Sequence, residues 1–476
     1  MISDKVNNSL VLLAWAIFSA LLLPSLVKDG MFLDGLVNSS MARNLAFGDG
    51  GFWTLHYTKA FSFPFYDQLP LAIGLQSIFF RIFGDHLFVD RLYSLLTAIV
   101  QAILIIQLWK FIFKGQDKLS KFSWLPMLLW IIIPVVSWSY SNNMLENTMG
   151  IFDCLSVILL LRVIEFPKYR FLYTAGAGMC ILFAFLSKGP VGLFPLAIPF
   201  LIWFSFRNRN VNSMLVQTLV LVCTPVFLLL IMSAIEPQIL ETLKNYRDHQ
   251  LIQSLSGSRE ANSNRFYIIL RLFGELIPVL IFSSIVYFVS LKRKLVFQAS
   301  PKLISFGKFF LLLALCGSIP ILISPKQSGY YLVPALPYFA LAFSVFIVER
   351  LELLFSNSDF MKQKSNYINR FAYLLFAAVL IFSTLQFGSE GRHKDKLQLV
   401  SVARNFISQK STVSICPELM ADWDLHAYLM RYLTVTLEPS NEQKIMIRSK
   451  ECSTLVPEGY YEIETDLKNY VLYRKN

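Results

Sequence analysis

Charge is what this 476-residue chain has least of. Only 16% of its residues are Asp, Glu, Lys or Arg, where a soluble chain carries about 25%. Histidine occurs 5 times and cysteine 6 times. No Gly-rich phosphate loop, CxxC pair or HExxH pattern occurs anywhere, so nucleotide-loop, zinc-ribbon and zincin chemistries have no motif to stand on. No internal repeat is present, and no soluble basic domain exists that would hold nucleic acid. The net charge of +12 therefore needs another reading.

What is abundant is apolar length. Hydrophobic residues make up 55% of the chain and the mean hydropathy is +0.53. Stretches long enough to cross about 30 Å of hydrocarbon recur. They lie near 10–27, 88–113, 122–140, 148–164, 173–187, 189–206, 214–235, 266–291, 309–323, 330–348 and 371–387. The expectation is a polytopic α-helical membrane protein of about 11–13 spans, with Pro134, Pro195, Pro225, Pro278, Pro334 and Pro337 kinking several of them. The first span continues into the chain without a small-residue cleavage pattern, so it is not expected to be a signal peptide.

Lys and Arg fall on every second loop: Lys110 to Lys121, Arg162 to Arg170, Arg207 and Arg209, Lys292 to Lys308, and Arg350 to Arg370. By the positive-inside rule these loops are cytoplasmic. The first connection, the turns near 141–147, 187–189 and 324–329, the stretch 236–265 and everything after Gly388 then lie outside. The first connection is about sixty residues long and must carry structure of its own. Asp34–Ala46 and Leu69–Phe83 read as helices in the interface plane. Beyond residue 388 the periodicity changes to that of a small α/β domain, dividing the chain into 1–387 and 388–476. Helices are expected at 391–407 and 422–433, strands at 411–416, 460–464 and 469–474. Cys416 and Cys452 both fall there, and spacing alone leaves their pairing open.

The outer face supplies the candidate chemistry. Lys188 in "LSKGPVG" and Lys326 in "ISPKQSGYY" each stand in a Gly/Pro-bracketed turn at a span boundary. Each is a snorkelling anchor or a ligand for an anion at headgroup depth. Asp34 follows the first span and is either a helix cap or a working carboxylate. Glu146 stands at the outer mouth of another span, and His249 lies in the long connection.

The ordered motifs "D…MARNL" (Asp34 to Leu45), "GDGGFW", "DQLPL" (Asp67 to Leu71), "FG…RL" (Phe83 to Leu92), "LEN" around Glu146, "KGP" (Lys188 to Pro190), "DHQLIQSL" and "YYLVPALP" (Tyr330 to Pro337) resemble the GT-C fold glycosyltransferases. Among these they are most similar to aminoarabinose lipid A transferases and protein O-mannosyltransferases. The resemblance covers about 350 residues. It implies a sugar donor carried on a polyprenyl phosphate, an acceptor hydroxyl on a lipid, glycan or protein, and transfer outside the cytoplasmic membrane with inversion. Asp34 would be the general base and Glu146 the second acidic residue of the site. Lys188, Lys326 and Arg43 would stabilise the departing phosphate. Asp67 and His249 stand where relatives bring an acidic residue and a His around a divalent ion; read from the residues alone they are a solvated Asp and a surface His. The chain departs from the pattern at Gly35, where relatives carry a second acid, and at Gln68, where they carry Lys. A transporter of an amphipathic anionic lipid would also use outward cations, but paired repeats and midplane charge pairs are missing. A non-enzymatic scaffold with an external binding domain is the remaining class.

Overall fold

A computed structural model describes residues 4–61, 63–206, 210–257, 264–294, 300–356 and 359–475, without the side chains of 359–363. Arg207, Arg209 and the Lys362 side chain, three of the expected cytoplasmic charges, lie outside the described residues.

The membrane part opens with α1 (Asp4–Leu26), and the first connection holds α2 (Leu33–Ala46) and α3 (Pro70–Phe83). Next come α4 (Phe88–Ile112), α5 (Asp117–Ser120), α6 (Trp124–Ile131), α7 (Pro134–Ser141), α8 (Leu145–Glu165), α9 (Arg170–Lys188) and α10 (Ile198–Phe206). They are followed by α11 (Val211–Ile235), α12 (Gln238–Tyr246), α13 (Gln253–Ser256), α14 (Tyr267–Lys292), α15 (Pro301–Ser318), α16 (Leu336–Ser356) and α17 (Asp359–Leu385).

Among the described residues, nine helical segments are long and apolar enough to cross a membrane. A tenth is broken: Asp117–Ile131 and Pro134–Ser141 meet at 75°. Pro134 cannot continue the preceding helix and serves as a first-turn residue of α7 instead. The expected span at 189–206 is a 3-10 stretch, Pro190–Ala197, running into α10. Pro190 and Pro195 remove two backbone donors there. Apolar side chains face outward along α11, where Leu219, Phe227 and Leu230 are each more than 60% exposed, as lipid-facing helices require.

The domain after residue 388 contains α18 (Lys394–Ala403), α19 (Trp423–Leu433) and a five-stranded sheet of order β2-β1-β3-β5-β4. Its strands are β1 (Thr412–Ile415), β2 (Thr436–Glu438), β3 (Ile445–Ser449), β4 (Tyr460–Ile463) and β5 (Tyr470–Lys475). Strands β2 and β3 were not anticipated. They are 3 and 5 residues long, and "TLE" and "IMIRS" show no clear period-2 signal. Cys416 and Cys452 form a disulfide, which fixes the loop after β3 to the end of β1.

This domain shares a core with the first connection. Leu36, Met41, Leu55, Ile73 and Phe80 pack in one cluster with Leu399, Leu425, Leu429 and Leu472. Arg431 is the polar bolt of the interface. Its guanidinium lies 2.9 Å from Asp90 and 3.1 Å from Asp85 and donates to the His86 carbonyl. As a result every residue of α2 from Gly35 to Leu45 is buried. The expected interfacial position holds better for α3, whose Ile78, Ile82 and Phe83 are exposed; α2 lies beneath the C-terminal domain.

Candidate functional site

The site gathers where α2, α8, the end of α9, α12 and the stretch Gly329–Ala335 come together. The N-terminus of α2 is capped by another residue's side chain: Asn142 Oδ1 accepts from Phe32 N at 2.6 Å. Asp34 sits in the first turn and the N-cap position belongs to Phe32, which makes no side-chain cap. Asp34 is thus not the helix cap. Its Oδ2 accepts a hydrogen bond from Tyr330 Oη at 3.2 Å. Gly35 is fixed by packing. A Cβ there would collide with the Asn142 carbonyl oxygen and with Met31 Sδ, so the fold has no room for the second acidic side chain that similar sequences carry.

Lys188 reaches the same place from the C-terminus of α9. Its Nζ lies 3.6 Å from Glu146 Oε1 and 3.4 Å from Gln68 Oε1. Glu146 is fully buried, and this ammonium is its charge partner. Asp34 lies within electrostatic reach of both. Gln68, standing where the resembling sequences have Lys, therefore holds the Lys188 ammonium in place of supplying one. The Gly189 that follows has φ +98°, and a Cβ on it would strike Tyr246 Oη. Tyr246 donates that hydroxyl to the Lys188 carbonyl at 3.0 Å, and burial pushes its pKa up. The "KGP" turn is thus a docking point for α12.

Two cavities flank Tyr330 and Tyr331. One, of about 460 Å³, is lined mainly by apolar residues including Val191, Leu193, Phe194, Leu251, Pro320 and Ile321, with Lys188, Lys326 and Tyr331 on its wall. The other, of about 600 Å³, is lined by Trp138, Arg271, Lys326, Gln327, Ser328 and Tyr330, among others. Lys326 borders both. Its turn is held by Gln327, whose Oε1 accepts from Ile268 N and whose Nε2 donates to the Arg265 and Ser324 carbonyls. Arg271 pairs at 2.6 Å with Glu275, and Glu275 Oε2 accepts from Val135 N, one of the open donors at the start of α7.

Of the residues singled out from the sequence, Asp34, Glu146 and Lys188 come together, and Lys326 lies at the junction of the two cavities. Arg43 is the correction. It is 2% exposed and its Nη1 donates to the Met430 and Arg431 carbonyls of α19 at 2.8 and 3.3 Å. Burial pulls its pKa down to about 10. Its guanidinium is taken up by the C-terminal domain and by Asn44 Oδ1, so it is not open to a donor phosphate. Asp67 lies in the loop before α3 and His249 in the helical stretch Arg247–Ile252 between α12 and α13; they approach beside the site, where the rings of Tyr66 and His249 stack at 6.3 Å. Two donors do not make a zinc site, which takes three protein ligands or more. Among the described residues the one cluster of three potential ligands is Cys416, Glu418 and Cys452, whose thiols are joined.

Sequence reasoning missed Tyr330 and Tyr331 as site residues, although both stand in the quoted "YYLVPALP". It missed Asn142, whose capping role has no local signal. It also missed Arg91, which donates to the carbonyls of Lys28, Gly30 and Ser141 and so ties the exits of α1 and α7 together.

Residues 67–232 match the family described as dolichyl-phosphate-mannose-protein mannosyltransferase. No curated protein matches the chain in sequence. Among solved structures it is similar to ArnT from Cupriavidus metallidurans bound to undecaprenyl phosphate, with a TM-score of 0.64 at 15% identity over 97% of each chain. The apo state of the same protein gives 0.63 at 14% identity, over 96% of this chain and 95% of that one. The Archaeoglobus fulgidus oligosaccharyltransferase gives 0.52 at 11% identity, over 92% of this chain and 65% of that one. The chain therefore has the multi-span GT-C fold of these proteins, closed by a small sheet domain.

Proposed function

We propose that this chain, built on the fold of ArnT, is a membrane glycosyltransferase that moves a sugar from a polyprenyl-phosphate donor to an acceptor hydroxyl. The face is the extracytoplasmic one of a bacterial cytoplasmic membrane, inferred from the Lys and Arg distribution, and the C-terminal domain lies on it. The observation that carries the proposal is Lys188. Its ammonium stands at the wall of an apolar groove, between Glu146 and Gln68, with Asp34 within electrostatic reach.

The chemistry follows from that arrangement. The polyprenyl tail lies in the apolar groove and its phosphate meets Lys188, with Lys326 at the groove's other wall. The acceptor enters by the polar cavity on the far side of Tyr330. Asp34 accepts the proton of the acceptor hydroxyl, a contribution of about 10²–10⁴-fold for a positioned base. The acceptor oxygen attacks the anomeric carbon as the bond from that carbon to the phosphate oxygen breaks. The electron pair leaves with the phosphate, where Lys188 meets the growing negative charge. Displacement from the opposite face inverts the anomeric centre. Tyr330, hydrogen-bonded to Asp34, aims the carboxylate, and Glu146 keeps Lys188 charged and pointed.

The test is mass spectrometry of envelope glycolipids, glycans and glycoproteins from cells with and without the protein, joined to transfer by the purified chain in liposomes. One glycosyl residue should be lost from an envelope molecule, and wild type but not Asp34→Asn should release polyprenyl phosphate from the donor. An unchanged envelope, or lipid-linked sugar crossing the bilayer without transfer, overturns the proposal; the second result would make the chain a transporter.

A further inference from the structure

A third cavity, of about 320 Å³, lies at the outer end of α1 and shares no lining residue with the two above. Its apolar half is made by Leu23, Leu26, Phe88, Leu92, Leu95 and Phe387, where α1 ends, α4 begins and α17 has just ended. Phe88 and Phe387 are 43% and 69% exposed, so this half opens toward the surface that lipid would cover. The polar half contains Lys28, Asp29, Asp90, Arg91 and Arg431.

Most of those charges are already engaged. Arg431 is held by Asp85 and Asp90. Arg91 donates to the Lys28, Gly30 and Ser141 carbonyls, lies 3.9 Å from Asp90, and is within electrostatic reach of Asp29. Among the described residues no hydrogen bond or ion pair takes the side chain of Lys28 or of Asp29, and both are half-buried. The lining sets Lys28, Arg91 and Arg431 against Asp29 and Asp90, with Asp85 behind Arg431 and Arg404 acting on Asp29 from outside the lining. An anionic headgroup would answer Lys28 and leave the half-buried Asp29 carboxylate without a partner, whereas a zwitterion answers both. One ammonium and one carboxylate, from consecutive residues that both line the cavity, remain to meet a phosphate and a cationic amine.

We propose that this cavity binds one zwitterionic phospholipid with a primary-amine headgroup of the phosphatidylethanolamine type. Its phosphate meets Lys28, its ammonium donates to Asp29, and part of one acyl chain lies among Leu23, Leu92 and Phe387. A trimethylated amine has no N–H to give the carboxylate. The lipid would brace a seam of the fold. Asp29 N donates to the Ser389 carbonyl, Gly391 N to the Asp29 carbonyl and Gly388 N to the Val27 carbonyl. The connection from α1 to Asp34 is thereby joined to the start of the C-terminal domain.

The test uses the full chain in mild detergent, stripped of lipid and titrated with chain-matched phosphatidylethanolamine, phosphatidylcholine and phosphatidylglycerol, with binding read by native mass spectrometry. One phosphatidylethanolamine should bind about tenfold more tightly than either competitor, the change that loss of one charge-assisted hydrogen bond brings. Asp29→Asn, nearly isosteric, should erase the preference over phosphatidylcholine. Lys28→Ala should weaken binding, and Lys28→Arg should keep it. Equal binding of phosphatidylcholine, tighter binding of phosphatidylglycerol, or an unaltered preference in Asp29→Asn overturns the proposal. Since only lipid binding is read, failure here leaves the transfer reaction untouched, and failure of the transfer assay leaves this site untouched.

Discussion

Replacing Lys188 by Ala removes two things at once: the cation that meets the donor phosphate, and the charge partner of a fully buried carboxylate. The two can be separated. The Lys188–Glu146 contact is 3.6 Å with Glu146 at 0% exposure, and Coulomb's law at an effective dielectric of about 20 gives about 4–5 kcal/mol for such a pair. Breaking a buried pair from one side costs about 3–5 kcal/mol, because the remaining charge is left without compensation. Lys188→Ala should therefore lower thermal stability markedly, as read by tryptophan fluorescence or by a thermal aggregation assay in detergent. Adding Glu146→Gln makes the remaining group neutral and should recover most of that loss. Donor binding should not recover. A charge-assisted hydrogen bond to phosphate is worth about 1.5–3 kcal/mol, so the double variant should bind a polyprenyl-phosphate sugar about 10–150-fold more weakly than wild type, by microscale thermophoresis or native mass spectrometry. If the double variant binds donor as wild type does, Lys188 is only the counter-ion of Glu146 and the phosphate site lies elsewhere.

Four further outcomes follow from the geometry. Asp34→Asn should lower transfer about 10²–10⁴-fold with donor binding unchanged; an equal loss of both would make Asp34 a binding residue. Gly35→Asp, which installs the acid that similar sequences carry, should destabilise the chain through collision with Asn142 and should not raise activity; a stable, more active variant would refute the packing account. Reduction of the Cys416–Cys452 disulfide should cost the C-terminal domain about 2–5 kcal/mol, seen as earlier proteolysis of that domain with the spans still protected. His426 is buried with its Nε2 lacking a hydrogen bond, and burial holds its pKa below the ordinary imidazole value of about 6.5. The unfolded chain then takes up the proton first, so the stability His426 contributes is complete above pH 6.5 and falls as pH drops below it. His426→Phe should flatten that acid limb in a pH series of thermal unfolding.

Periodicity and composition made the spans legible, because each must bury a whole apolar length in lipid and the signal is integrated over about 20 residues. The broken span at Pro134 and the 3-10 stretch at Pro190–Ala197 were less so: their prolines were visible, but the angle each break takes depends on neighbouring helices. Lys188, Lys326, Asp34 and Glu146 could be found because a charge at a span boundary is costly enough to need a reason. The partners of those residues could not. Gln68 Oε1 meets Lys188 across 120 positions of sequence, and Asn142 caps α2 from 110 positions away. Arg43 was misread for the same reason: "MARNL" says that a cation is near Asp34 in sequence, and nothing local says that Met430 and Arg431 will claim it.

That misreading carries a structural point about α2. Its first turn holds Asp34 against Tyr330, while nine residues on, more than two turns of helix, Arg43 is clamped to the backbone of α19. The helix is 14 residues long and buried along nearly its whole length, so it has little freedom to tilt without disturbing both ends. Arg43 Nη1 holds α19 through backbone carbonyls, while Nε and Nη2 donate to Asn44 Oδ1 and Nη2 also to Met430 Sδ. Helix α19 is in turn bolted by Arg431 to Asp85, in the turn between α3 and α4, and to Asp90 in the first turn of α4. The C-terminal domain therefore fixes the height and angle of the carboxylate without supplying any group to the site. Without Arg43, α2 would keep its apolar contacts with α3 and α19 but lose its end-stop, and Asp34 would move relative to a donor held by residues of α9. For a base that works only within hydrogen-bond reach of the acceptor hydroxyl, a shift of about 1 Å is enough to cost on the order of 10²-fold in rate.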